Sequence, residues 1–209
     1  MSRHVRLAGS VRASVNAHPH YEQLVLDAVP AGCSRALDVG CGNGYLTRAL
    51  RDRGIPEVTG IDRDRACIEW CRAHPGAGAI TFVEADVLTA PLEPGSFGLV
   101  GSIGCLHHMD ARAGLTRLRD LVAPGGVLAI VGMARADWPK DVPLAALTYG
   151  AARLRPGAKR AGDMPRFPVV WPPPERFPAM RRLAAEVLPG VRWRRHLLYR
   201  YSLIWSRPG

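Results

Sequence analysis

Apolar and polar positions follow two rhythms along this chain, and the rhythm switches from block to block. RALDVG (35–40), EVTGID (57–62), ITFVEAD (80–86), SFGLVGSIG (96–104) and VLAIVGM (127–133) are short apolar runs ending near glycine, aspartate or methionine, and they predict strands. Between them, YEQLVLDAV (21–29), YLTRALRDRG (45–54), DRACIEWCRAH (64–74) and ARAGLTRLRDLV (111–122) repeat apolar residues at helical spacing. Pro30, Gly54, the pair Pro75-Gly76 and the run Pro124-Gly125-Gly126 stop them, and Asp64 is placed to cap the third. VLAIVGM is apolar throughout, so that strand should be covered on both faces. Strands alternating with helices at this pitch predict βαβ units, a parallel sheet and an α/β, Rossmann-like, doubly wound fold.

The rhythm weakens after residue 133. Prolines at 139, 143, 156, 165, 168 and 172–174 break up a stretch in which only PLAALTYGAARL (143–154) suggests a short helix. A long irregular segment inside a compact domain is usually functional, so 134–175 reads as an insertion or substrate lid. ERFPAMRRLAAEVL (175–188) then reads as a helix, with Pro178 tolerated in its first turn. VRWRRHLLYRYSLIWSRP (191–208) reads as two strands joined by a tight turn. The whole is expected to form one domain over 1–209. Its parts are an arm and helix (1–30), a core (31–133), the lid (134–175) and a closing helix and strand pair (176–209).

Composition adjusts this picture in three ways. With 209 residues, 47% of them hydrophobic, the chain suffices for one well-cored domain. No apolar run reaches the ~18 residues of a membrane-spanning helix, and the basic N-terminus lacks the apolar core of a secretory signal. Its five cysteines (33, 41, 67, 71 and 105) form no regular framework. Together these predict a soluble, cytoplasmic protein with reduced thiols. The net charge of +10 is unevenly placed: residues 1–133 hold 13 basic and 13 acidic side chains, residues 134–209 hold 15 and 5. That excess is either a solvated arginine-rich surface or a basic face for an anionic partner.

The densest chemistry lies in ALDVGCGNGYLT (36–47), where a strand runs through closely spaced glycines into a helix. Gly40, Gly42 and Gly44 permit a sharp turn and close backbone approach, and the helix start offers free N–H groups. Dinucleotides prefer G-x-G-x-x-G; here the spacing is G-x-G-x-G, with Asp38 two residues before the first glycine. A carboxylate there repels pyrophosphate and suits an ammonium group. Asp62, ending the second strand, is placed to bind ribose hydroxyls, and Asp86, ending the third, to accept from an adenine amino group. The three carboxylates favour a cationic nucleoside cofactor without phosphates.

On these residues the chain resembles the class I S-adenosylmethionine-dependent methyltransferases, of the small-molecule kind (methyltransferase types 11 and 12). The motifs that carry the resemblance are LDVGCGNG (37–44), GIDRD (60–64), EADV (84–87), FGLVGSIGCLHHM (97–109) and LVAPGGVLAI (121–130), in the family's order. YSLIWSRP (201–208) resembles the family's last strand. The resemblance implies a seven-stranded sheet with the last strand antiparallel and S-adenosylmethionine at the strands' carboxyl edge. It also implies that Asp38 and Gly40, Cys41, Gly42, Asn43 and Gly44 hold the methionine end. Asp62 with Arg63 would hold the ribose, Asp86 with Val87 the adenine, and Ser102, Ile103 and Gly104 would lie near the sulfonium. NAHPHYEQLVL (16–26) resembles a segment that closes the site in some small-molecule members. There Tyr21 would bond the cofactor carboxylate and His20 would face the substrate.

Candidate chemistry for the acceptor is thinner. His107 and His108 follow the fourth strand; either acts as a general base, or the first shapes the pocket while the second bonds to backbone. His18 and His196 are weaker alternatives. Trp138, Tyr149, Phe167 and Trp171 offer flat apolar surface in the lid, and Arg153, Arg155, Lys159, Arg160 and Arg166 offer charge. Trp138, Tyr149 and Arg153 are the substrate-binding candidates, for a flat or anionic small molecule in a biosynthetic or tailoring step. A macromolecular acceptor on the basic face is the alternative, and a cofactor-binding regulator without turnover is a third reading. S-I-G-C stands where base-methylating enzymes carry an N-P-P-Y-type tetrapeptide, which disfavours nucleic acid. Cys67, Cys71 and His74 share one helical face but suit a core better than a metal, so no metal is expected.

Overall fold

The computed structural model of the protein describes residues 19–74, 76, 79–136, 170–197 and 199–209. The proposed helix at 143–154, together with Trp138, Tyr149, Arg153, Arg155, Lys159, Arg160, Arg166, Phe167 and His18, lies outside that set. The described elements are α1 (Pro19–Leu26), β1 (Arg35–Val39), α2 (Tyr45–Asp52), β2 (Glu57–Asp62), α3 (Arg65–Ala73), β3 (Ile80–Glu84) and β4 (Phe97–Ile103). A short 3-10 turn (Leu106–His108) leads into α4 (Ala111–Leu121), β5 (Val122–Met133), α5 (Phe177–Val187), β6 (Arg192–Arg195) and β7 (Arg200–Ser206).

One seven-stranded sheet runs in the order β3-β2-β1-β4-β5-β7-β6. The pairs among β1 to β5 are parallel, because each connection crosses over through a helix or long loop. β7 follows β6 by a tight turn, so it must reverse, and it pairs antiparallel with both β6 and β5. The expected architecture, last strand included, is the one found. The chain winds outward from β1 to β3 and then returns to lay β4 against the other side of β1. That reversal opens a crevice at the carboxyl ends of β1 and β4, where open α/β sheets bind ligands.

Helices cover both faces. On one, Leu115, Leu118 and Leu121 of α4 and Phe177, Met180 and Ala184 of α5 pack with Leu128, Ile130, Tyr201 and Leu203. On the other, Tyr21 and Val25 of α1 and Leu46 and Leu50 of α2 pack with Leu99, Ala129 and Val131. Strand β5 is thus buried from Val127 to Met133, as its unbroken apolar run required. Asp64 caps α3 through Ala66 N at 2.9 Å, and Asp110 caps α4 through Ala113 N at 2.7 Å. Among the described residues, no helix is long and apolar enough to cross a membrane.

The fifth strand departs from the sequence reading, which ended a helix at Pro124-Gly125-Gly126 and began the strand at Val127. Phe97 pairs with Val122 and Leu99 with Val127, so β5 starts five residues earlier and carries Ala123–Gly126 as a bulge. Gly125 takes the left-handed backbone this needs (φ 74°) and donates to Arg207 O at 3.1 Å. Arg207 in turn donates through Nη1 to Val122 O at 2.7 Å, fastening the bulge to the chain's last strand.

Beyond β5, Arg135 forms an isolated parallel bridge with Arg176. Its N–H donates to Glu175 O at 2.7 Å, and Phe177 N donates to Arg135 O at 3.1 Å. The chain therefore leaves the sheet at Arg135 and returns to the same place at Arg176.

Gly132 on β5 sits against the ring of Tyr201, which is 1% exposed, and a Cβ there would overlap the ring's Cζ and hydroxyl. Gly132→Ala should cost about 1–3 kcal/mol or more, read as a lower urea midpoint. Tyr201→Phe should not rescue it, since Cζ remains; a smaller residue at 201 should recover part of the loss.

Candidate functional site

β1 ends at Val39, and the backbone then turns through three left-handed glycines: Gly40 (φ 70°), Gly42 (φ 53°) and Gly44 (φ 74°). A side chain at Gly40 would be strained and would run into Cys105, 2.5 Å from the position of its Cβ. Gly40 N and Cys41 N both donate to Ile61 O, at 2.8 and 3.1 Å, binding the turn to the end of β2. Gly44 is the N-cap of α2, with no side-chain cap for the helix's first N–H groups. Asn43 O accepts from Arg48 Nη1 at 2.6 Å.

Three carboxylates meet this turn differently. Asp62 accepts from Gly42 N through Oδ2 and from Asp64 N through Oδ1, each at 2.9 Å. Asp86 is exposed two residues beyond β3, and its Oδ1 accepts from Leu88 N at 2.9 Å; Val87 beside it is buried. Asp38 is 2% exposed and accepts from the Thr47 hydroxyl at 2.6 Å. Burial pushes its pKa up to about 7 against the Thr47 bond, with Asp62 and Glu22 adding to the rise. The buried carboxyl thus sits at the edge of ionisation at neutral pH.

The end of β4 forms the other wall. Ser102 is buried and donates from Oγ to Val39 O at 2.9 Å, tying β4 to β1. Ile103 follows it, and Gly104 (φ 71°) bends the chain, its N–H bonding Val131 O at 2.7 Å. The 3-10 turn then stacks His107 and His108, ring centroids 4.2 Å apart. Both Nδ1 atoms are buried without a hydrogen-bond partner. Burial, with His108 and Arg200 nearby, pushes His107 down to about 3. His108 is lowered too, by burial and then by Arg63, against the pull of Asp62. Both shifts favour the neutral imidazole.

Beside them stands Arg200, which the sequence reading counted only in the basic excess. It is 2% exposed, and its guanidinium carbon lies 5.6 Å from the Tyr21 ring centroid. Tyr21 itself donates to Leu197 O at 3.4 Å and meets His196 edge-on at 5.9 Å. His196 Nε2 and Ser202 Oγ are 2.8 Å apart.

The fold therefore brings together the glycine turn, Asp38, Asp62 and Ser102–His108, and places Arg63 and Asp86 on the same rim. His20 is placed by its backbone only, on the first turn of α1. His74 bonds Trp70 O and stacks on its ring, apart from Cys67 and Cys71, which pack inward. Cys71 Sγ donates to Gly42 O at 3.2 Å. Among the described residues no group of three His, Cys, Asp or Glu side chains could hold a metal ion. Two residues were missed. Thr47 looks like any polar helix position, and only its place on the turn facing Asp38 gives it away. Arg200 hides among arginines such as Arg192 and Arg194, which are exposed.

An α/β sheet with a glycine turn and acidic strand ends at its switch point defines a nucleoside-binding protein. The profile of a methyltransferase domain matches residues 36–126. An uncharacterized methyltransferase of Mycobacterium tuberculosis is 35% identical over 194 residues, 92% of this chain and 97% of its own. A malonyl-[acyl-carrier protein] O-methyltransferase of Enterobacter lignolyticus is 32% identical over 136 residues, 59% of this chain and 53% of its own. The PH0226 protein of Pyrococcus horikoshii shares the fold (TM-score 0.63, 16% identity, 92% of this chain and 93% of that one). The chain belongs to the class I S-adenosylmethionine-dependent methyltransferases and is an enzyme of that family.

The raised Asp38 has a consequence for stability. Below the ordinary carboxylate pKa both folded and unfolded chains hold the proton. Between about 4 and about 7 the unfolded chain has lost it while the folded chain keeps it, so folding stability falls as pH rises. Asp38→Asn should flatten this slope in urea titrations of the ligand-free protein from pH 4 to 7.5, and an unchanged slope would contradict the assignment.

Proposed function

We propose that the chain transfers the methyl group of S-adenosylmethionine to a small-molecule acceptor, with the cofactor lying across the glycine turn and the acceptor entering beside His107. The observation that carries this is Asp62, fixed at the end of β2 by Gly42 N and Asp64 N. A carboxylate has about four acceptor positions, so two remain for the paired hydroxyls of a ribose. Asp86, with Oδ2 unused by its turn, would accept from the adenine amino group, with buried Val87 beneath the base. The donor set suits the group: the acidic acceptors Asp62 and Asp86 stand where the nucleoside would lie.

When bound, S-adenosylmethionine supplies a methyl group made electrophilic by its positive sulfur. Asp38 would respond to that cationic ligand: a nearby ammonium favours the ionised carboxylate and pulls its pKa back down. Ser102 and Ile103 would lie beside the sulfur end, where Gly104 bends the chain (φ 71°). His107 and His108 would face the acceptor. Burial makes both weak bases, which supports a role in orienting the acceptor over one in removing its proton.

The small-molecule reading is supported by burial. His107 is half-buried and Arg200 buried, which favours a compact acceptor over a bulky folded one. The exposed arginines of β6 and α5 then serve as solvated surface.

Calorimetry on the full chain should show S-adenosylmethionine binding, weakened about 10–100-fold in Asp62→Ala by loss of charged hydrogen bonds. A wild type that gives no heat at millimolar cofactor would end this reading. His107→Ala should lower acceptor turnover, followed as S-adenosylhomocysteine, without removing a pH limb near neutrality. Loss of such a limb would instead make His107 the base.

A further inference from the structure

β3 ends at Glu84 and β4 begins at Phe97, and residues 85–96 between them form neither helix nor strand. Asp86 and Val87, the pair that would meet an adenine, lie on this irregular connection. Its first turn closes on itself. Thr89 N and Ala90 N donate to Asp86 O at 3.1 and 2.8 Å, and Leu88 N donates to Asp86 Oδ1 at 2.9 Å. These local bonds set the shape of the turn. They do not set where it stands relative to Asp62 and the glycine turn, although the ribose and base of one nucleoside must be met from both.

That placement comes from α4. Arg117 donates through Nε to Val87 O at 3.1 Å, and through Nη2 to Ala90 O at 2.7 Å and Leu92 O at 3.2 Å. Farther along, Gly95 N donates to Asp120 O at 2.8 Å. The helix is a firm anchor, because Leu115, Leu118 and Leu121 are fully buried in the core beneath it. A guanidinium is a planar fork whose donors point in different directions, so one side chain can gather three carbonyls of a segment that lacks its own ladder. Bonds from a charged donor are also stronger than neutral ones.

We propose that Arg117 is a positioning residue for cofactor recognition: by gripping Val87, Ala90 and Leu92 it holds Asp86 where the amino group of an adenine can reach its carboxylate. The proposal rests on reading Asp86 as the adenine acceptor, and adds the residue on another element that sets its place. Arg117 acts through the backbone of residues 87–92 and needs no contact with the ligand. A lysine at 117 keeps the charge but carries its donors on a single nitrogen, so Arg117→Lys should lie between wild type and Arg117→Ala.

The test is calorimetry on the full chain with S-adenosylhomocysteine and with its purine analogue, which lacks only the 6-amino group. Wild type is expected to bind S-adenosylhomocysteine at least ~10-fold more tightly than the analogue, since the analogue forfeits a hydrogen bond to a carboxylate. Asp86→Ala should abolish that preference. In Arg117→Ala it should fall to ~3-fold or less while the analogue's own affinity stays within ~3-fold of wild type, and Arg117→Lys should recover part of it. A role in folding alone would lower the urea midpoint and leave the ratio of the two affinities where it was. An Arg117→Ala ratio equal to that of wild type therefore overturns the proposal. Should Arg117→Ala fail to fold, Arg117→Lys decides by the same ratio: a lowered value supports the proposal and an unchanged one overturns it. A wild type without the amino preference, or a preference that survives Asp86→Ala, counts against Asp86 as the adenine acceptor and takes the proposal with it. Failure of S-adenosylhomocysteine itself to bind is a different result, which removes the cofactor reading as well.

Discussion

The structure depends on one backbone reversal, the left-handed turn that carries the chain from β1 into α2. Two N–H groups of that turn share the carbonyl of Ile61, and a third bonds the carboxylate of Asp62, so the turn and the end of β2 hold each other in place. The packing beneath it is fixed by the same reversal. Cys105 occupies the space that a side chain at Gly40 would need, and Thr47, on the first turn of α2, reaches back to Asp38. Any change that straightened the turn would expose a buried carboxyl and separate β1 from the loop after β4.

Charge is sorted around this turn. Carboxylates at 38, 62 and 86 crowd the side toward β2 and β3, while the neutral imidazoles and the guanidinium of Arg200 stand toward β5 and β7. The sorting follows from the topology: the acidic strand ends belong to the parallel half of the sheet, and Arg200 arrives on the reversed strand.

Much of the fold was legible because both rhythms were strong. Asp64, Gly54 and Pro178 mark helix ends by rules that act locally, and the apolar run from Val127 needed only its own composition to declare a fully covered strand. The bulge at Ala123–Gly126 was not legible. It is stabilised by Arg207, far along the chain, and Pro-Gly-Gly alone reads as a turn. On the donor side, Gly40, Gly42, Gly44 and Asp62 could be read because spacing and chemistry coincide. The partner of Asp38 could not, since a hydroxyl nine positions away becomes its neighbour only after the turn forms. Arg200 was hidden for the opposite reason: an arginine-rich tail gives no local sign of which guanidinium is buried.

The bridge between Arg135 and Arg176 gives the molecule a seam. The chain leaves and rejoins the described fold at one point, just beyond the end of β5. The entropy of closing such an excursion grows only with the logarithm of its length. Insertions, deletions or wholesale exchange of that stretch therefore load the sheet lightly, and the donor machinery on the far side of β4 need not register them. A segment of different length or sequence can therefore be spliced between these two residues while β5, β7 and the glycine turn keep their pairing.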